Sequence, residues 1–255
     1  MRTILLAVAI ASPALAAGCY HETCQPCTSP PGITTVPEMV VAPTVPTVAA
    51  GPRENGFDAR VRADFFDGLR GDPAALDRVV KVCEDTLASQ PNHTEAMVWH
   101  GAALIGRSGL AFRAGDAATA LGLYTKGLGE MDRAVALDPK NLGVRIPRGA
   151  VVLVTAPFMS EPNKTQLVQR GVADFEVALA GQTPYFGKLT LHAREQLLYG
   201  LTDGYATLGD ARKAQAAFQR MTVDAAGSSL LPRAQARASG EAVAGPTPCQ
   251  ECHGR

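Results

Sequence analysis

Residues 115–141 read GDAATALGLYTKGLGEMDRAVALDPKN, and their pattern predicts one long amphipathic helix. Asp116 follows a glycine and is expected to cap the helix, because its carboxylate can accept from backbone N–H groups that lack a helical partner. The sequence Asp138-Pro139 is expected to end it, since proline lacks an N–H and disfavours helix in the residue before it. Apolar residues at three- and four-residue spacing predict the buried face: Leu121, Tyr124, Leu128, Met131 and Val135.

The Gly-Asp pair at 115–116 has two counterparts, Gly71-Asp72 and Gly209-Asp210. Each pair stands between two segments of helical length and periodicity, as the tight turn of a helical hairpin does. Around the last pair, one helix is predicted to bury Leu198, Leu201, Tyr205 and Leu208. The helix after it is predicted to bury Ala214, Ala217, Phe218 and Met221.

Residues 199–221, YGLTDGYATLGDARKAQAAFQRM, resemble a tetratricopeptide (TPR) repeat, with Tyr205, Gly209, Ala214 and Phe218 at the family's separations. RAVALDPKN, at the end of residues 115–141, resembles the closing half of such a repeat. The resemblance covers about residues 61–228, and it implies stacked hairpins with a concave face that binds a protein or a peptide. It carries no implication of catalysis.

The expected fold class is therefore all-α, a short and irregular TPR-like array of about four helical hairpins over residues 57–240. The first hairpin is predicted to join helices 61–69 and 76–87, and the second to join 96–114 to the long helix. In the third, Pro147 is expected in the first turn of a helix through Val154, followed by a helix over 167–179. Residues 151–154 can also be interpreted as a strand, although no partner strand lies nearby in the sequence.

The first 18 residues predict an export signal, with Arg2 before an apolar core that is too short to span a bilayer. Two cleavage patterns compete. Residues 15–19, LAAGC, resemble a bacterial lipobox, which implies a lipid on Cys19 and attachment to a membrane. The alternative is an ordinary cleavage near Ala16 and a soluble exported protein. The expected location is the bacterial cell envelope, facing the periplasm.

Residues 19–56 are rich in proline and lack a helical period, which predicts an extended tether between the anchor and the array. A disordered leader with no role is the alternative. Residues 241–255 form a second segment of different chemistry, the C-terminal tail.

The tail contains Cys249, Cys252 and His253 in the pattern C-x-x-C-H, which is the attachment motif of c-type haem. The tail resembles a cytochrome c attachment site. This resemblance implies thioether bonds from the two cysteines and iron ligation by the histidine. Only Gly254 and Arg255 follow the motif, so a distal ligand would come from elsewhere in the chain.

Cys24 and Cys27 form a second C-x-x-C pair, in the tether. Together with Cys249 and Cys252 they offer an alternative to haem, either as disulfides in an oxidising compartment or as four thiolates for zinc. Cys83, the sixth cysteine, is expected to be a small buried hydrophobe on a helix.

Composition argues against a nucleic-acid partner, because 24 basic residues balance 24 acidic residues and no long basic run occurs. No catalytic motif is present, so an enzyme is not expected. His93 and His100 are interpreted as cap or surface residues and Trp99 as a core residue. Arg145 and Arg148 are interpreted as solvated residues at a helix start.

Two functions follow from these patterns. The first is a lipid-anchored TPR scaffold that carries a haem at its C-terminus and binds partners near an electron-transfer chain. The second is a TPR adaptor without haem, whose C-x-x-C pairs form disulfides or bind zinc.

Overall fold

The computed structural model of the chain describes residues 56–243, and the regular structure in this range is entirely helical, with no strand. The α-helices of this range are α1 (Arg62–Leu69), α2 (Pro73–Ser89), α3 (Thr94–Arg113), α4 (Ala117–Leu137), α5 (Leu142–Thr155), α6 (Asn163–Gln182), α7 (Leu191–Thr207), α8 (Ala211–Asp224) and α9 (Leu231–Ala238). Short 3₁₀ helices cover Phe57–Arg60, Ala156–Phe158 and Thr183–Lys188.

The first eight helices pack as four successive hairpins, α1/α2, α3/α4, α5/α6 and α7/α8. The first helix of each hairpin also contacts the first helix of the next, and each second helix contacts the first helix that follows it. Helix α9 packs against α7 and α8, in the place where the first helix of a fifth hairpin would lie. The all-α prediction is confirmed, and the stacked hairpins are compatible with a TPR-like helical repeat.

The three predicted Gly-Asp turns are confirmed by their backbone geometry. Gly71, Gly115 and Gly209 have φ values of 116°, 83° and 78°, in the left-handed region that glycine adopts without steric cost. The aspartate after each glycine caps the next helix by accepting from backbone N–H groups. A fourth turn of this type, at Gly240 with φ 79°, ends α9 and was missed in the sequence because a glutamate follows the glycine.

Helix α4 begins and ends where predicted, but its buried face is shifted. Leu121 is 66% exposed, which contradicts its prediction as a core residue, whereas Met131 and Val135 are buried. The small residues Ala120, Gly127 and Ala134 are buried instead, against α3. The contact between α3 and α4 is made by small side chains, so the helices approach closely and the larger Leu121 lies at the surface.

The third hairpin differs most from its prediction. Helix α5 begins at Leu142 after the cap Asn141, whose side chain accepts from Gly143 N at 2.8 Å. Pro147 therefore lies inside α5, one turn further along than predicted. Residues 151–154 are helical, so their interpretation as a strand is wrong. Helix α6 extends beyond both ends of the predicted 167–179 segment.

The predicted signal peptide, tether and haem motif lie outside the described residues, as do both C-x-x-C pairs. Within residues 56–243, no helix is both long enough and apolar enough to cross a membrane.

Candidate binding groove

The first helices of all four hairpins contribute to an apolar groove, which is formed mainly by α1, α3 and α5. Helix α1 forms one wall, α3 the floor and α5 the opposite wall. The groove has a volume of about 100 Å³, and its lining residues are Arg62, Phe65, Phe66 and Leu69 of α1, Trp99, Ala102, Ile105 and Gly106 of α3, Ile146, Pro147, Ala150, Val151, Val154 and Thr155 of α5, and Gln196 of α7.

Helical spacing explains why these residues share one surface. On α3 the lining positions Trp99, Ala102 and Gly106 recur at intervals of three and four, as residues on one face of a helix do. On α5 the lining positions follow the same rule from Pro147 to Val154. Val152, which follows the lining residue Val151 on α5, is 1% exposed and belongs to the core. The run Val151–Val154 is therefore apolar on two faces, one for the core and one for the groove.

Aromatic rings join the floor of the groove to one wall. The rings of Phe65 and Trp99 meet edge to face with centroids 5.2 Å apart, and Phe66 lies at 5.5 Å from Phe65 in a similar arrangement. Edge-to-face pairs at these separations stabilise the packing beyond the burial of apolar area. The α1 wall is thereby held against the floor.

Trp99 carries an unusual polar feature. Its side chain is buried, and its indole Nε1–H has no hydrogen-bond partner among the described residues. A buried donor without an acceptor costs about 1–3 kcal/mol. This unpaired donor is shielded from solvent within the side chain of a lining residue.

The remaining polar groups lie at the margins of the groove. Arg62 is exposed at the start of α1 and forms an ion pair with Asp58. The hydroxyl of Thr155 donates to Val151 O at 2.7 Å within α5. Among residues 56–243, neither aspartate nor glutamate lines the groove.

A buried ionic cluster lies in the same hairpin as the α5 wall. Asp174 of α6 is fully buried and accepts from Arg145 Nη1 at 2.6 Å and from Arg148 Nε at 2.7 Å. Arg148 also donates to Asp132 of α4 at 2.9 Å. Burial lowers the pKa of Arg148, but the hydrogen bonds and charges of Asp174 and Asp132 outweigh this effect and raise it.

The interpretation of Arg145 and Arg148 as solvated residues at a helix start is wrong. Both side chains point into the contact between α5 and α6, because their charges find a partner in Asp174, 26 and more residues away in sequence. The cluster fixes α5 relative to α6 and α4, and it thereby fixes the groove wall that α5 carries.

The two histidines have different environments. His93 caps α3 and accepts from Ala96 N at 3.1 Å through Nδ1, as predicted. His100 is 4% exposed, so its prediction as a cap or surface residue is wrong. Its Nδ1 lies 2.5 Å from Glu130 Oε2, a contact that helps to offset the burial of this side chain. Its Nε2 lies 3.8 Å from Glu84 Oε1 and has no hydrogen-bond partner among the described residues.

Cys83 is fully buried on α2, as predicted. Burial raises the pKa of its thiol to about 12, and a thiol of such high pKa is a poor nucleophile. Within the described range, no group of three or more His, Cys, Asp and Glu residues could hold a metal ion.

The site residues predicted from motifs lie outside residues 56–243, so the structure does not test them; they are Cys19, Cys24, Cys27, Cys249, Cys252 and His253. Sequence reasoning missed the groove itself, although Trp99 was correctly placed in the interior. The all-round apolar character of residues 151–154 was the feature that could have indicated a second apolar face.

Comparisons with known proteins do not assign this chain to a family: no family model, no curated protein and no solved structure matches it.

We expect Asp174→Ala to lower the free energy of unfolding by about 3–5 kcal/mol, because it leaves two arginines in a buried site without their shared carboxylate. Urea unfolding followed by circular dichroism measures the change. The matched control is Asp85→Ala, which breaks the exposed Lys81–Asp85 pair and should leave the unfolding midpoint nearly unchanged. Equal midpoints for the two variants would contradict the structural role of the cluster.

Proposed function

We propose that this chain is an exported, lipid-anchored interaction scaffold of the TPR type, with a c-type haem on its C-terminal tail. The apolar groove lined by α1, α3 and α5 carries the proposal for partner binding. The groove binds a segment of another protein. A lipid on Cys19 attaches the chain to a membrane, and the tether holds the helical array away from it.

Three features of the groove support a role in binding. It runs across three hairpins, so its ligand contacts several repeats at once, as ligands of stacked helical arrays do. Its walls are held by the aromatic contacts of α1 and the ionic cluster of α5, which limits the entropy lost on binding. Its lining combines an apolar surface with few polar groups, which is the usual character of a binding site.

Sequence alone supports the attachment of the chain to a membrane and the haem on its tail. The lipobox-like residues 15–19 and the C-x-x-C-H motif are consistent with each other, because both belong to proteins exported across the bacterial inner membrane. Haem bound through Cys249, Cys252 and His253 supplies one-electron redox chemistry, and the scaffold supplies contact with a partner.

A photo-crosslinking amino acid tests the groove in the cell envelope. Placed at Val154, a half-buried lining residue, it should form a discrete adduct with a partner protein. Val223 is 78% exposed on α8 and provides the control position, where no such adduct is expected. Adducts of equal yield at the two positions, or none at Val154, would show that the groove is not a partner site.

Intact mass of the mature protein tests both ends of the chain. Co-expression with a cytochrome c maturation system should add one haem that survives denaturation, because thioether bonds are covalent. The added mass should be lost in Cys249→Ala/Cys252→Ala, whereas His253→Ala should shift the absorption spectrum. A lipid on Cys19 should appear as a further mass that Cys19→Ser removes.

Each alternative gives a different result in the same measurement. A disulfide lowers the mass by two hydrogens, and zinc is released by acid or by a chelator. A colourless protein with paired thiols would exclude haem and favour the adaptor whose cysteines form disulfides. The proposal for the groove does not depend on that outcome.

A further inference from the structure

We propose that His100 is a proton-operated link between the first two hairpins. When its imidazole takes up a proton, the side chain joins Glu84 of α2 to Glu130 of α4. The α1/α2 hairpin is then held more firmly against the α3/α4 hairpin. The inference goes beyond the proposed function, because it concerns the array itself and does not depend on whether the groove binds a partner.

His100 lies between carboxylates that belong to different hairpins. It is a residue of α3, which packs against both α2 and α4, and it is 4% exposed. Its Nδ1 lies 2.5 Å from Oε2 of Glu130, in the second hairpin. Its Nε2 lies 3.8 Å from Oε1 of Glu84, in the first hairpin. The two ring nitrogens therefore face the two hairpins separately.

The contact with Glu130 determines which nitrogen of the neutral ring carries the hydrogen. An ionised carboxylate can only accept, so Nδ1 is the donor and Nε2 keeps a lone pair. Nε2 is buried and has no hydrogen-bond partner among the described residues. The nearby Glu84 cannot supply one, because its carboxylate oxygens are acceptors as well. The neutral ring thus leaves a buried polar atom unsatisfied, which costs free energy.

Uptake of a proton removes this unsatisfied atom. The protonated ring has a donor on each nitrogen, so Nε2–H can donate to Glu84 while Nδ1–H still donates to Glu130. The distance of 3.8 Å has to shorten by about 1 Å to reach hydrogen-bond length. The Glu84 side chain is 61% exposed, so it is free to make this movement. A charge-assisted hydrogen bond then joins α2 to α3.

Two lysines compete with His100 for the carboxylates. Lys81 of α2 interacts with Glu84, but its ammonium is hydrogen-bonded to Asp85. Lys126 of α4 lies 3.9 Å from Oε1 of Glu130, the oxygen that does not face the ring. Both lysine side chains are more than half exposed, so water screens their charges. The buried ring is screened less, and the carboxylates favour its protonated form.

The other titratable and charged groups around α3 oppose the link only weakly. Burial raises the pKa of the Cys83 thiol on α2 to about 12, so this thiol stays neutral. Arg60, in the 3₁₀ helix before α1, is exposed and lies over the ring of Phe57. The charged side chains of α1 and α5 are engaged in pairs of their own, which are Arg62–Asp58, Asp64–Arg78, Arg70–Asp67, Arg145–Asp174 and Arg148–Asp174.

The sign of the pH effect follows from this arrangement. The two glutamates surround the ring only in the folded chain, so folding favours the protonated form. The stability that the link contributes is fully present below about pH 6.5, where a histidine of an unfolded chain is protonated, and it is lost as the pH rises. The loss falls on the attachment of the first hairpin, and α1 of this hairpin is a wall of the groove.

Urea unfolding of the full chain at about pH 6 and about pH 8.5 tests the link. Relative to wild type, His100→Gln should raise the unfolding equilibrium constant about tenfold more at the lower pH than at the higher one. Glu84→Gln should show a difference of about threefold, because the lost charge is largely exposed. Its amide offers a donor to the neutral ring, so the preference for the proton disappears.

The control is Asp77→Asn, which breaks the exposed pair between Asp77 of α2 and Arg107 of α3. Both residues of this pair stay charged over the whole range, so its effect should be the same at the two pH values. An equal effect of His100→Gln at both pH values would overturn the inference. If Glu84→Gln behaves like the control, His100 acts with Glu130 inside the second hairpin alone, and the link between hairpins is refuted.

Amide hydrogen exchange locates the effect, with each variant compared with wild type at the same pH. At about pH 6, Glu84→Gln should speed exchange in α2 about threefold and leave α7 and α8 unchanged. At about pH 8.5 the exchange of α2 should match that of wild type. This variant changes an exposed side chain, so it carries the test even if His100→Gln does not fold. Unchanged exchange of α2 at both pH values would overturn the inference.

Discussion

The array depends on the close approach of α3 and α4, which form its longest hairpin. A Cβ on Gly127 would lie 2.5 Å from Gly101 O, and a Cβ on Gly101 would lie 2.5 Å from Gly127 O. Only glycine at both positions allows the backbones to come this close. Since α3 also contacts α1, α2 and α5, this contact sets the position of the helix that carries Trp99 and the floor of the groove.

Sequence predicted those features of the fold that local chemistry decides. The turns at Gly71, Gly115 and Gly209 followed from glycine's freedom at positive φ and from the capping ability of the aspartate beside it. The presence of the helices and the order of the hairpins followed from the spacing of apolar residues. This spacing gave a wrong prediction of burial for Leu121, because it favours large side chains, whereas the contact between α3 and α4 is made by small ones.

Features that join distant parts of the chain could not be predicted. Arg148 and Asp174 are 26 residues apart, and no local pattern pairs them. The groove is likewise assembled from separate helices, and each contributes only part of its surface. The predicted haem and lipid sites stay predictions from motifs. A scaffold with this groove and those tails would bring a partner to a membrane and, if the haem is attached, to a redox centre.

The packing of α3 on α4 is tested most directly by two glycines of the same helix. A Cβ added to Gly127 would lie 2.5 Å from Gly101 O, whereas a Cβ added to Gly129 would have nothing within 4 Å. We expect Gly127→Ala to lower the free energy of unfolding by about 1–3 kcal/mol. Gly129→Ala should raise it by about 0.5–1 kcal/mol, since alanine is the better helix former. Urea unfolding of the two variants measures both changes. Changes of opposite sign are the predicted result, and stabilisation by both substitutions would contradict the account.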